Sequence, residues 1–220
     1  MVVSKAHYSE EELEFRFHKL IFYIRKQIPG FRLRSKVESK LMQLLSVVLF
    51  FNKGFMDRYV TTLYPLVYVP ELPWESHSVE SRISILAHEY VHLKDRKRLG
   101  WLFNILYLSP QIFALLAIGA FWNPWFLLAL LFLLPLPSPG RAWLEWRGYK
   151  MSMAMHWALT GQRINVFWLM NQFTSSQYYW MWPFKRSLEA HILKAAGDVE
   201  SGKFLSPEIF EILEIIKKED

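Results

Sequence analysis

His88-Glu89-Tyr90-Val91-His92 reads H-E-x-x-H, and it lies within Ser78 to Arg98, a stretch whose pattern is helical. Residues four apart on a helix stand on one face, separated by one turn of about 5.4 Å. Both imidazoles can therefore reach a single metal ion, with Glu89 projecting beside them. A zinc ion held by such a pair keeps a position open for water and lowers the pKa of that water towards neutrality. The glutamate is then placed to act as general base and later to hand the proton to a leaving amine.

The composition narrows the possible partners. The chain has 220 residues, enough for a single domain with a sizeable core. It contains no cysteine, which rules out disulfides and thiolate ligands and leaves histidine and carboxylate as zinc donors. The formal charge is +6, and there are ten Trp, ten Tyr and seventeen Phe. A basic, aromatic-rich chain suits nucleic acid or an anionic membrane. The basic residues are scattered and carry no nucleic-acid motif, so no nucleic-acid partner is expected. Met1 to Glu14 is charged, without an apolar core, and does not read as a signal peptide.

Ahead of the motif, Ser9 and Glu12 have the spacing of a capping box and Tyr8 with Leu13 that of a hydrophobic staple, opening a scaffold helix that stops at Ile28-Pro29-Gly30. Phe15, Leu20, Ile21 and Ile24 are its expected apolar face, and His18 reads as a surface histidine. Lys36 to Leu45 is open between strand and helix end, and Asn52-Lys53-Gly54 is a turn signal. Tyr59 to Val69 is rich in β-formers, with Pro65 marking an edge strand or a break. An edge strand just before a metal helix can pair with an extended peptide, or can be an ordinary sheet edge. Pro70 to His77 reads as a loop with an exposed histidine.

Beyond His92, Asp95 can orient that imidazole through its second ring nitrogen or pair on the surface with Arg98 or Lys94. From Leu99 to Gly140 there is no charged residue. Residues 101–137 are expected to form an inserted, membrane-associated apolar hairpin turning at Asn123-Pro124. Its first segment, Trp101 to Trp122, is long enough to span a bilayer if a kink at Pro110 is tolerated. The second, Trp125 to Leu136, is about 18 Å as helix and too short. Trp101, Trp122, Trp125 and Trp143 lie near segment ends, and both flanks are basic, which puts the expected site on the cytoplasmic side.

A helix from about Arg141 to Thr160-Gly161 follows. Glu145 stands there among tryptophans, and a carboxylate in such surroundings needs a partner. Zinc is one partner, which makes Glu145 the preferred third ligand; a salt bridge to Arg141 or Arg147 is the other reading. Tyr149, one turn on, is placed to hydrogen-bond a ligand or to stabilise an oxyanion. His156 is the rival third ligand, but three turns of helix separate it from Glu145. The neighbouring methionines read as packing. Gln177 to Phe184 is strongly aromatic and reads first as a core plug. Arg186 to Ala196 is a short helix, Gly197 to Phe204 a loop, and Ser206-Pro207-Glu208 the start of the last helix. His191 reads as exposed.

A β-rich segment, then His88-Glu89-Tyr90-Val91-His92, then an apolar hairpin, then a helix bearing Glu145, resembles the gluzincin metallopeptidases, and among them the membrane-linked Ste24 and HtpX type. The resemblance covers about Thr61 to Leu159. Where that family usually has an E-x-x-x-D pattern, this chain has Glu145-x-x-x-Tyr149. The resemblance implies an α+β, zincin-like fold with one Zn2+ ion on His88, His92 and Glu145, and Glu89 as the catalytic residue. The expected activity is zinc-dependent hydrolysis of peptide bonds in a peptide or protein substrate at a membrane surface. The alternative is a membrane-anchored, non-catalytic interaction module with a structural or vestigial metal site.

Overall fold

The computed structural model describes residues 8–48, 54–175, 180–203 and 206–217. Helix α1 (Glu10–Gln27) begins with the capping box: the Glu12 N–H donates to the Ser9 hydroxyl at 3.2 Å and the Ser9 N–H to the Glu12 carboxylate at 2.6 Å. Leu13, Phe17, Leu20 and Ile24 form its buried stripe. Phe15 lies off that stripe and is exposed, contrary to its reading from sequence, and Phe17 takes its place in the core.

Three strands follow: β1 (Arg32–Ser35), β2 (Thr61–Leu63) and β3 (Leu66–Val69). β3 is central, parallel to β1 and antiparallel to β2, so β2 is an edge. Pro65 sits in the turn between β2 and β3, where its missing N–H costs the ladder nothing. The undecided stretch after β1 is helical, as α2 (Lys40–Val48), and the expected loop from Pro70 to His77 contains a short helix, α3 (Glu71–Ser76). Of the expected turn, Asn52 and Lys53 lie outside the described residues. Among the described residues the chain is thus mostly helical with one small sheet before the H-E-x-x-H helix, an α+β arrangement.

That helix is α4 (Val79–Leu99), capped by Ser78 and ended by Gly100 at φ 58°, a conformation suited to glycine. After it come α5 (Leu102–Leu108) and two antiparallel 3₁₀ arms, Gln111–Phe121 and Pro124–Leu133. The Asn123 side-chain Oδ1 accepts the Trp125 N–H at 3.0 Å and fixes the tip where the sequence placed it. The expected long first segment is not continuous: α5 and the first arm meet at 93° across Ser109-Pro110. Among the described residues no single helix is long and apolar enough to cross a membrane.

Helix α6 (Pro139–Thr160) is central, packing on α4, α5, α8 (Lys185–Glu200) and α9 (Pro207–Lys217). Met151, Ala154, Met155, Ala158 and Leu159 join α1, α4 and α9 in one core. Ala142, Tyr149 and Met153 join α7 (Val166–Thr174) and α8 in a second. Met181, from the aromatic run, is buried in this second core; Gln177 to Tyr179 lie outside the described residues. Helix α8 continues past Ala196 through Gly197 to Glu200, where the sequence suggested a loop.

A buried ion pair clamps α4 to α6. Asp95 is 1% exposed and accepts from Arg147 Nε at 2.9 Å and from Arg98 at 3.3 Å; Arg147 also reaches Glu208 on α9 at 3.2 Å. Removing one member of such a pair strands the other in a poorly solvated place. Asp95→Ala is therefore expected to lower the unfolding free energy by about 3 kcal/mol in urea titrations, and Arg98→Ala, which removes a more exposed partner, by under about 1 kcal/mol.

Candidate metal centre

Helices α4 and α6 each present one face to the same buried point. From α4 come His88 and His92, one turn apart; from α6 comes Glu145. All three are buried. The Nε2 atoms of His88 and His92 are 3.0 Å apart, His88 Nε2 is 3.4 Å from Glu145 Oε2, and His92 Nε2 is 3.7 Å from Glu145 Oε1. Donors bound tetrahedrally at about 2.0–2.1 Å from zinc stand roughly 3.3 Å from one another. The triad has that spacing, and it can hold a metal ion. His156, the rival third ligand, is not part of the cluster; neither are His77, His18 and His191, the last two being exposed.

The same face of α6 carries residues that shape the pocket. Glu145, Gly148, Tyr149 and Ser152 stand at i, i+3, i+4 and i+7, one stripe of a helix. Ser152 Oγ lies 3.2 Å from His88 Nδ1. The tautomer that donates from Nδ1 to this hydroxyl leaves Nε2 free as a metal donor. Gly148 lets the His88 ring approach the α6 backbone: a Cβ there would sit 2.6 Å from Cε1 and Nε2. The Tyr149 ring meets His88 edge to face at 4.8 Å, and its hydroxyl lies 3.5 Å from Gln172 Oε1 on α7. The phenol that touches the carboxylate is that of Tyr107 on α5, which donates to Glu145 Oε1 at 2.6 Å. Burial and the Glu145 charge push the Tyr107 pKa well above its ordinary value, so the hydroxyl keeps its proton and stays a donor. Tyr107 stacks on Phe103 and stands edge-on to His92. The sequence reading passed over it, although it is the one tyrosine in the charge-free run.

Asp95 does not orient His92. Its oxygens serve Arg98, the partner that the sequence allowed, and Arg147 on α6, which it did not suggest, and the carboxylate is buried rather than on the surface. His92 Nδ1 is buried with no hydrogen-bond partner among the described residues.

Electrostatics ties the triad together. Burial penalises the Glu145 carboxylate, yet His92 and His88 hold its pKa well below the usual range. Burial likewise disfavours a charged His92, and the carboxylates of Glu145, Glu89 and Asp95 outweigh it, lifting the imidazole to about 9. The buried carboxylate thus requires a cation beside it, which a proton on His92 or a metal ion can supply.

Glu89 is half-buried, and its Oε2 accepts from Thr62 Oγ1, on the edge strand β2, at 2.6 Å. A buried cation lies on the same side. Lys36, just after β1, is 0% exposed; its N–H donates to the Val69 carbonyl at 2.9 Å and its Nζ to the Phe55 carbonyl at 2.5 Å. Burial pushes its pKa down to about 8, against the opposing pull of Glu89 and Asp57. Nothing in the sequence marks Lys36 as buried, because its side chain is held by Phe55, nineteen residues on, through the backbone carbonyl and the ring.

Comparison with protein-family models, with curated proteins and with solved structures finds no match.

Two outcomes test this geometry. Gly148→Ala is expected to weaken zinc affinity by about 10–100-fold in competition titrations, without removing any ligand. Gly197→Ala, where a Cβ meets nothing within 4 Å, should leave it unchanged. For Lys36, the folded chain gives up its proton near pH 8 and the unfolded chain near 10.5, so the unfolded state binds more protons between these values. Stability of the wild type relative to Lys36→Met should therefore rise from pH 8 to 10.5 and be flat below, as read by denaturant melts across that range.

Proposed function

We propose that this chain is a zinc-dependent metalloendopeptidase of the zincin class. The observation that carries the reading is the convergence of His88 Nε2, His92 Nε2 and a Glu145 oxygen at 3.0–3.7 Å, with Glu89 adjacent to His88 on the same helix. Two histidines and a glutamate are a donor set that catalytic zinc uses, whereas structural zinc sites usually close with four protein ligands. Among the described residues three gather here, which favours a site open to water over the structural alternative.

Zinc held by these residues would supply a Lewis acid and a water of near-neutral pKa. The protein's own groups do the rest. Thr62 fixes one Glu89 oxygen, Oε2, and leaves Oε1 to take the proton from the attacking water. The same carboxyl then protonates the departing amine, so that water and an amide become a carboxylate and an amine. Tyr107 occupies Glu145 Oε1 and leaves Oε2 for the metal. Ser152 and the Tyr149 ring hold His88 in place. Among the described residues no strand pairs with the outer edge of β2, which presents backbone groups beside Glu89 where an extended peptide can pair.

Purified protein reloaded with zinc and freed of excess is expected to carry one zinc per chain and to cleave an unstructured protein substrate. Glu89→Gln should keep the zinc and lose about 10²–10⁴-fold in rate, and Glu145→Ala should lose the zinc. Wild-type cleavage by Glu89→Gln, or a wild type that retains no zinc, overturns the reading.

A further inference from the structure

The two 3₁₀ arms are used by nothing so far described. With three residues per turn, their side chains stack in columns. One column from each arm forms the seam: the Phe113 and Phe132 rings lie 5.5 Å apart, and Gly119 sits under Phe126, where a Cβ would come within 2.8 Å of the ring. The other two columns of the second arm start at Pro124 and Trp125 and continue as Leu127-Leu130-Leu133 and Leu128-Leu131-Leu134, and all six leucines are exposed. Ala129 is the one buried residue on either arm. At the tip, Phe121, Trp122 and Trp125 are 90%, 84% and 75% exposed.

We propose that this hairpin is a one-leaflet anchor, inserting tip first into an anionic phospholipid bilayer without crossing it. Three observations select that occupant. The apolar surface runs round the hairpin on both outer columns, and lipid covers every side, whereas a second copy of the chain covers one. The length fits: an 11-residue arm at about 2.0 Å per residue reaches roughly 22 Å, the depth of one leaflet with its headgroup layer and well short of a full bilayer. The charge fits as well. Between Asp95 and Glu145 the charged residues are Arg96, Lys97, Arg98 and Arg141, all cations and all at the root of the insert; Lys97 and Arg98 are exposed. Basic groups at the level of the headgroups attract anionic lipid.

Insertion of this kind requires no metal, so it is measured on the full chain both loaded with zinc and stripped of it. The protein is expected to float with vesicles of phosphatidylcholine and phosphatidylglycerol, more weakly with phosphatidylcholine alone, and to lose the difference in high salt. Trp122→Glu combined with Trp125→Glu should weaken binding roughly 100-fold, because two large apolar side chains leave the lipid. Both residues are exposed, so the core is untouched. The chain has no cysteine, so Phe121→Cys accepts a single nitroxide label. That label should be open to oxygen and closed to a water-soluble nickel chelate on either side of the vesicle. Access from chelate trapped in the lumen would mean a span, and overturns the proposal. So does failure to float with either lipid, whether as a monomer or as a dimer joined through the arms, and so does unchanged binding by the double variant. Loss of peptidase activity with flotation intact strikes the metal reading alone.

Discussion

A carboxylate buried among imidazoles sets the terms for this molecule. Glu145 is 5% exposed, and a lone carboxylate at that depth would be protonated or would pull the structure open to water. Here it stays ionised because His88 and His92 face it from the opposite helix. The bargain holds only while α4 and α6 keep their distance, and two features fix it. Gly148 permits the approach on the inside, and the Asp95–Arg147 pair locks the helices further along. The site is therefore a property of the helix pair rather than of the five-residue motif.

Helix α6 shows how one segment serves three tasks. Its Met151–Met155 side completes the core with α1 and α9, its Met153 side closes a second core with α7 and α8, and the stripe between them supplies the buried carboxylate, the clearance and the hydroxyl. A helix with buried residues on several sides has little amphipathic signature, which fits a central position.

Local features were legible in the sequence where short-range chemistry decides them. The Ser9–Glu12 box, the start of α4 at Ser78, the Gly161 stop and the Asn123-Pro124 tip are each set by a few adjacent residues. The clustering of His88, His92 and Glu145 was legible because helical spacing placed two donors together and an isolated glutamate demanded a partner. What escaped depends on distant partners. Lys36 finds its side-chain partner in Phe55, Tyr107 gains its role from a carboxylate 38 residues on, and Gly148 matters because of a ring on another helix. The break at Ser109-Pro110 was visible as a possible kink, but its 93° turn divides the long apolar segment into two pieces with separate uses.

Tyr107 joins those pieces. Its hydroxyl holds Glu145, while its backbone carbonyl accepts from Arg141 Nε at 2.7 Å, and Arg141 also lies 3.4 Å from Gln111, the first residue of the arms. The root of the hairpin is thus joined to the Glu145 carboxylate by three hydrogen bonds, from Gln111 through Arg141 and Tyr107, and the last of them ends on the oxygen opposite the one that faces His88.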